Sequence, residues 1–118
     1  MIDDSRRFEK MGALIVNSEA GIVSIVTTIL QSMGMTHIER ALDGAKAMAM
    51  FGEDPNFVSF VVCDWTMPGM TGLQLIEKIR AVNSTIPILI LAGDASIENV
   101  KAALAAGVQP AMIRMMGR

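Results

Sequence analysis

Short apolar runs alternate along this chain with longer stretches whose apolar residues recur at helical spacing, and this alternation constrains the fold more than any other feature. Strand-length runs separated by helix-length stripes are the pattern of repeated βα units, which build a parallel sheet covered by helices. Five units can be drawn, the last incomplete. Ala13-Leu14-Ile15-Val16 is apolar throughout, as suits a strand buried on both faces, and Ile22, Val26, Ile29 and Met33 then mark one helical face that Gly34 closes. His37 to Ala41 predicts an edge-like second strand. Asp43-Gly44 opens an Ala- and Met-rich helix to Phe51, ending before Gly52 and Pro55.

The run Phe57-Val58-Ser59-Phe60-Val61-Val62-Cys63 is the strongest strand signal, and it stops at Asp64 before a Met67-Pro68-Gly69 turn. A central strand therefore delivers Asp64 to a loop. Thr71 and Gln74 have capping-box spacing, and Leu75, Ile76 and Ile79 supply the buried stripe of the helix they begin. Ile86 to Leu91 gives a fourth strand with Pro87 near its start, Asp94 or Ser96 caps an Ala-rich helix to Gly107, and Ala111 to Arg114 gives a fifth strand. Met115-Met116-Gly117-Arg118 is too short for a closing helix.

A chain of 118 residues suits one domain with a single layered core, here 1–118 with 1–12 as an N-terminal extension. Its 52% hydrophobic and 19% charged content excludes a disordered chain. A formal net charge of −2 with scattered basic residues gives no footprint for a phosphate backbone, so direct nucleic-acid binding is not expected. The single cysteine, Cys63, can form neither an internal disulfide nor a thiolate metal cage, and it reads as a small buried hydrophobe. No export signal and no apolar run of spanning length is visible, which favours a reducing cytoplasm and no membrane insertion.

Ligands of an open parallel sheet gather beyond the carboxyl ends of its strands. The residues at those positions are Asn17, Ser18 and Glu19, then Asp64, then Ala92 and Gly93, then Arg114. The segment Cys63-Asp64-Trp65-Thr66-Met67-Pro68-Gly69-Met70-Thr71-Gly72-Leu73 resembles the phosphoacceptor loop of bacterial response-regulator receivers, especially the single-domain chemotaxis type, and the resemblance covers nearly the whole chain. It implies a flavodoxin-like, doubly wound α/β fold with a five-stranded parallel sheet of order 2-1-3-4-5, its last helix missing or truncated. It also implies phosphoryl transfer to Asp64 from a partner histidine kinase, with Mg2+ neutralising the transferred group. That metal would be held by acidic residues after the first strand, by Asp64 and by the Thr66 carbonyl.

This sequence departs from the family pattern around that aspartate. Asn17 and Ser18 stand where the resemblance implies an acidic pair, leaving Asp64 with help from Glu19, so Mg2+ is expected to bind weakly or not at all. Ala92 replaces the hydroxyl after the fourth strand, with Gly93 keeping backbone amides accessible, and Arg114 replaces the lysine with a larger planar fork. Ala111 stands at the aromatic switch position and Met115 at the proline after the lysine. The reading is a receiver-like two-component module, not an enzyme, that acts through protein contacts with weak or no phosphorylation, an Asp64–Arg114 ion pair replacing the metal charge. Two alternatives are a working response regulator phosphorylated on Asp64, with Asn17, Ser18 and Glu19 as an unusual cation site, and a phosphatase like the haloacid dehalogenases, whose D-x-[DT] motif Asp64-Trp65-Thr66 echoes.

Blander roles stand beside these. Asn17 and Ser18 serve equally as caps of the first helix and Glu19 as a dipole-favoured first-turn carboxylate; His37 reads as a surface residue. Met112, Met115 and Met116 fill gaps or form an adaptable contact patch, and Trp65 lines the loop or anchors a partner. Without a closing helix, part of the face bearing the first helix needs cover. The candidates are residues 1–12, a second copy in a homodimer, another signalling protein, or the rest of a longer native chain.

Overall fold

Gly12–Val16 is buried at every position and forms β1, flanked in the sheet by β2 (His37–Ala41) and β3 (Phe60–Asp64). The computed structural model describes residues 11–54, 56–67, 69–92, 97–107 and 113–115. Beyond β3 lie β4 (Ile88–Ala92) and β5 (Ile113–Met115), every pair parallel, in the order β2-β1-β3-β4-β5. The crossovers are α1 (Ala20–Ser32), α2 (Gly44–Glu53), α3 (Gly72–Val82) and α4 (Ile97–Ala105). The architecture is the flavodoxin-like doubly wound sheet expected from the sequence. Among the described residues β5 is the last element.

The sheet's direction of growth reverses after β2, so right-handed crossovers put α1 on one face and the later helices on the other. Alternate strand residues accordingly enter two cores. Leu14, Val16, Val61, Cys63, Ile88 and Ile90 pack with Ala47 and Phe51 of α2 and with Leu75, Ile76 and Ile79 of α3. Ala13 and Ile15 pack on the opposite face with Val23, Leu30 and Met35. Each fully buried Leu or Ile contributes roughly 1.5–3 kcal/mol, so α3 is anchored mainly by its three-residue stripe.

The first helix corrects the sequence reading. Its sheet-facing stripe is Val23, Thr27 and Leu30, while Ile29 is 53% and Met33 43% exposed and Ile22 and Val26 are only half-buried. The chosen stripe lies one residue round the helix, because α1 carries apolar residues on two adjacent faces and spacing alone does not rank them. Boundaries moved too. Phe57 to Ser59 precede β3 in a turn, where the Phe57 amide donates to the Asp54 carbonyl and the Ser59 amide to that of Gly12. Ile86 and Pro87 precede β4, and α2 continues past Gly52 to Glu53. Residues 1–10, the proposed caps Asp94 and Ser96, and the start of the fifth strand at Ala111 and Met112 lie outside the described residues.

Candidate functional site

The switch point between β1 and β3 opens a crevice at the carboxyl ends of the strands, and Asp64 is the last residue of β3. It is half-buried. The Thr66 amide donates to Asp64 Oδ1 across a long 3.4 Å. Burial raises the carboxyl above its ordinary pKa; the amides of Thr66 and Trp65 oppose this, and the Glu19 carboxylate adds a smaller upward push. Among the described residues Glu19 is the carboxylate whose charge is felt at Asp64.

At the end of β1, Asn17 is buried and its amide donates to the Ala41 carbonyl at 3.1 Å. Its Oδ1 accepts from the Glu19 amide at 2.9 Å, an Asx turn that leads the chain into α1. Glu19 is the N-cap residue itself, in extended conformation and without a side-chain cap, and both it and Ser18 are exposed. The side-chain oxygen of Asn17 is thus already committed to the backbone.

The loop after Asp64 is held from three sides. Trp65 is half-buried against the larger core, Met67 is buried, and Gly69 takes φ +77°, a conformation that favours glycine. The capping box is formed in full: Gln74 donates its amide to Thr71 Oγ1 at 3.2 Å and accepts the Thr71 amide on Oε1 at 2.9 Å. Gly72 lies in the loop segment and Gly44 opens the second helix in the sequence reading, which did not show the close approach at either. A Cβ on Gly72 would strike the Asp64 carbonyl oxygen, and one on Gly44 would lie 2.8 Å from Met70 Sδ.

Cys63, beside Asp64, is fully buried in the core and its thiol is pushed up to about 12 by burial and by the Asp64 carboxylate, which makes it a poor nucleophile. His37 is exposed and meets Phe57 edge to face at 6.3 Å. In the sheet register Asp64 pairs with Leu91 and Leu91 with Arg114, so one row joins the acceptor position to the basic residue two strands away. At the usual strand spacing their backbones are about 10 Å apart. Ala92 ends β4 and pairs with Met115. Gly93 lies outside the described residues.

Among the described residues no three His, Cys, Asp or Glu side chains converge as metal ligands. Of the residues at the ends of β1 and β3, Asp64 and Glu19 are carboxylates and Asn17 is neutral, two carboxylates where a magnesium cage of three would need another. No helix among the described residues is long and apolar enough to cross a membrane.

A 2-1-3-4-5 parallel sheet with an aspartate at the carboxyl end of its middle strand defines a receiver-like α/β module. The response regulator receiver domain model matches residues 13–114, and the chain belongs to that family. It is 32% identical over 108 residues to chemotaxis protein CheY-3 of Vibrio cholerae, covering 90% of this chain and 82% of that one. It is 33% identical over 106 residues to chemotaxis protein CheY of Pseudomonas aeruginosa, covering 88% and 84%. In fold it matches the CheX–CheY–BeF3–Mg complex of Borrelia burgdorferi with a TM-score of 0.87 at 21% identity over 98% of this chain and 89% of that one. A response regulator receiver domain protein of Clostridium thermocellum gives a TM-score of 0.82 at 19% identity, covering 92% and 83%. Asp64-Trp65-Thr66 lies within the span matched by the receiver family model.

Proposed function

We propose that this receiver works as a protein-contact module in two-component signalling, with Asp64 at the acceptor position but phosphorylated weakly or not at all. The observation that carries this reading is the company Asp64 keeps: one exposed carboxylate, Glu19, and a buried, neutral Asn17 whose oxygen accepts the Glu19 amide. Phosphoryl transfer to an aspartate depends on positioning and on neutralising charge over the transferred oxygens. Asn17 and Ser18 add no negative charge for a cation, and Ala92 offers no hydroxyl to an incoming phosphoryl oxygen. Arg114 is the basic residue in the register row of Asp64.

The residues available to a magnesium ion are Asp64, Glu19 and the Thr66 carbonyl, with weak affinity expected. The partner is a histidine kinase or another signalling protein in the cytoplasm, engaged through α4, β5 and the Asp64 loop. The complex of a CheY with CheX supports protein contact as the mode of action for this fold. A working response regulator is the second reading, favoured by the half-exposed Asp64 carboxyl with loop amides beside it.

Beryllofluoride, which mimics an aspartyl phosphate, separates the two when titrated with magnesium and followed by Trp65 fluorescence. The expected result is no saturable signal at millimolar magnesium. Saturable binding that is lost in Asp64→Asn establishes the working regulator instead.

A further inference from the structure

At the amino end of β4, the end of the sheet opposite Asp64, the chain encloses a cavity of about 240 Å³. Its walls are Arg80 near the end of α3, the segment Ser84 to Ile88 that leads into β4, and Gly107 after α4. The volume lies below the roughly 300–1,000 Å³ of sites that take drug-sized ligands, so the cavity suits a small ion or molecule.

Arg80 brings a positive charge that no described carboxylate neutralises. Its guanidinium donates to the carbonyls of Asn83, Ile86 and Gly107. Those three bonds use at most three of its five N–H donors, and Nε is buried without a partner among the described residues. Carbonyl dipoles satisfy donors but leave the net charge in place. Ser84 is exposed, and its hydroxyl is uncommitted among the described residues. The wall between the two is fixed in advance. Asn83 Oδ1 accepts the Thr85 amide at 2.9 Å, the Thr85 hydroxyl at 3.1 Å and the Ile86 amide at 3.1 Å. Ile86 and Ile88 are buried behind it, and an apolar backing strengthens any charge pairing in front of it.

We propose that this cavity binds a small oxyanion, a phosphate or a carboxylate, on the Arg80 guanidinium and the Ser84 hydroxyl. A planar guanidinium matches the oxygens of either anion, and hydrogen bonds between charged groups are the strong ones. A cation meets a like charge here, and an apolar ligand leaves the guanidinium uncompensated. The site involves neither Asp64 nor its loop. Because the same guanidinium ties the end of α3, the approach to β4 and the turn after α4, an anion held there also steadies α4.

Amide NMR of the full 118-residue chain tests this, with inorganic phosphate and, separately, succinate titrated at constant ionic strength against sodium chloride. The expected result is saturable shifts of the Ser84, Thr85 and Gly107 amides with at least one of the two anions. Saturation by phosphate alone assigns a phosphate site, and saturation by succinate alone a carboxylate site. Ser84→Ala keeps every bond of Arg80 and should weaken binding roughly threefold or more, the loss of one hydrogen bond. Arg80→Lys keeps the charge without the fork and should weaken it further, with far-UV circular dichroism reporting that the variant is folded. Shifts that grow linearly, or that sodium chloride reproduces, overturn the proposal in favour of general screening by salt. Saturable shifts centred on Asp64 to Met67 overturn it in favour of the site already described, and binding that both variants leave unchanged overturns it outright.

Discussion

The Gly72 amide donates to the Trp65 carbonyl at 2.9 Å, so the first turn of α3 rests on the backbone of the loop that follows Asp64. A Cβ at Gly72 would strike the Asp64 carbonyl oxygen and lie 2.8 Å from Trp65 Cα. The glycine is required here by close approach and not by backbone conformation, since its φ is not positive. Its neighbours are main-chain atoms, which cannot rotate away as a side chain can. Gly72→Ala should therefore displace the loop or the helix, costing about 1–3 kcal/mol as overpacking does. Urea unfolding measures the loss, and a shifted Trp65 emission maximum in the folded state shows that the loop moved.

Asp64 should couple stability to pH in the direction opposite to a salt-bridged carboxylate. Its folded pKa lies above the ordinary value of 3.8 chiefly because burial disfavours the charge, so the native state holds the proton more tightly than the unfolded chain. The stabilising contribution is full below the unfolded value and is lost as pH rises through the folded one. Asp64→Asn removes that loss. At neutral pH it should be more stable than wild type by less than about 1 kcal/mol, since water screens a half-exposed charge. Thermal melts from neutral pH downward should converge as the wild-type carboxyl protonates.

The strand order and the place of Asp64 at the end of β3 were legible in the sequence because each rests on a short local pattern. Val61 to Cys63 runs straight into Asp64, and Thr71 with Gln74 fixes the start of α3 to the residue. The α1 face was misread because Ile22, Val26, Ile29 and Met33 form as good a stripe as Val23, Thr27 and Leu30. Choosing between them requires knowing which flank the sheet covers. Asn17 was legible as a polar residue just after a strand, but not as the acceptor of an Asx turn. Both readings fit a side-chain oxygen after a strand, and only geometry shows the Glu19 amide 2.9 Å away. Gly72 was hardest to find, because a close approach between distant backbones leaves no trace in local spacing.

The capping box should be worth its usual amount, since the Gly72 amide is held by the Trp65 carbonyl and the Gln74 amide by Thr71 Oγ1. Thr71→Ala removes the acceptor for the Gln74 amide and should cost about 1 kcal/mol. Thr71→Ser keeps the oxygen and should cost much less. Chemical denaturation of the pair checks both. A truncation such as Ile79→Ala, in the same helix but fully buried, should cost about 2–5 kcal/mol and sets the scale.

At the opposite end of the sheet one guanidinium joins three segments. Arg80 Nη1 donates to the carbonyls of Ile86 at 2.7 Å and Asn83 at 3.3 Å, and Nη2 to that of Gly107 at 3.2 Å. The end of α3, the approach to β4 and the turn after α4 are thereby tied to a single side chain. Burial lowers its pKa, yet an arginine stays charged, and its planar fork reaches carbonyls that a lysine ammonium cannot span together. Arg80→Lys should cost about 1–3 kcal/mol by leaving acceptors unpaired. Hydrogen exchange should report the loss first in the amides of α4.

Restoring a carboxylate beside Asp64 should make stability depend on magnesium. Asn17 is buried, 5% exposed, so Asn17→Asp places a negative charge in a poorly hydrated position near Asp64 and Glu19. The new carboxylate can still accept the Glu19 amide, so the Asx turn survives and the change is electrostatic. Without a divalent cation the third negative charge should lower stability and push the Asp64 carboxyl higher still. With magnesium the three carboxylates form the hard oxygen site that the native residues lack, and binding to the folded state adds RT ln(1 + [Mg2+]/Kd) to its stability. Wild-type melting temperature should hardly respond to millimolar magnesium, while the variant should start lower in EDTA and rise with the cation. A flat response in the variant would place the obstacle to metal binding elsewhere in the loop, in the position of the Thr66 carbonyl.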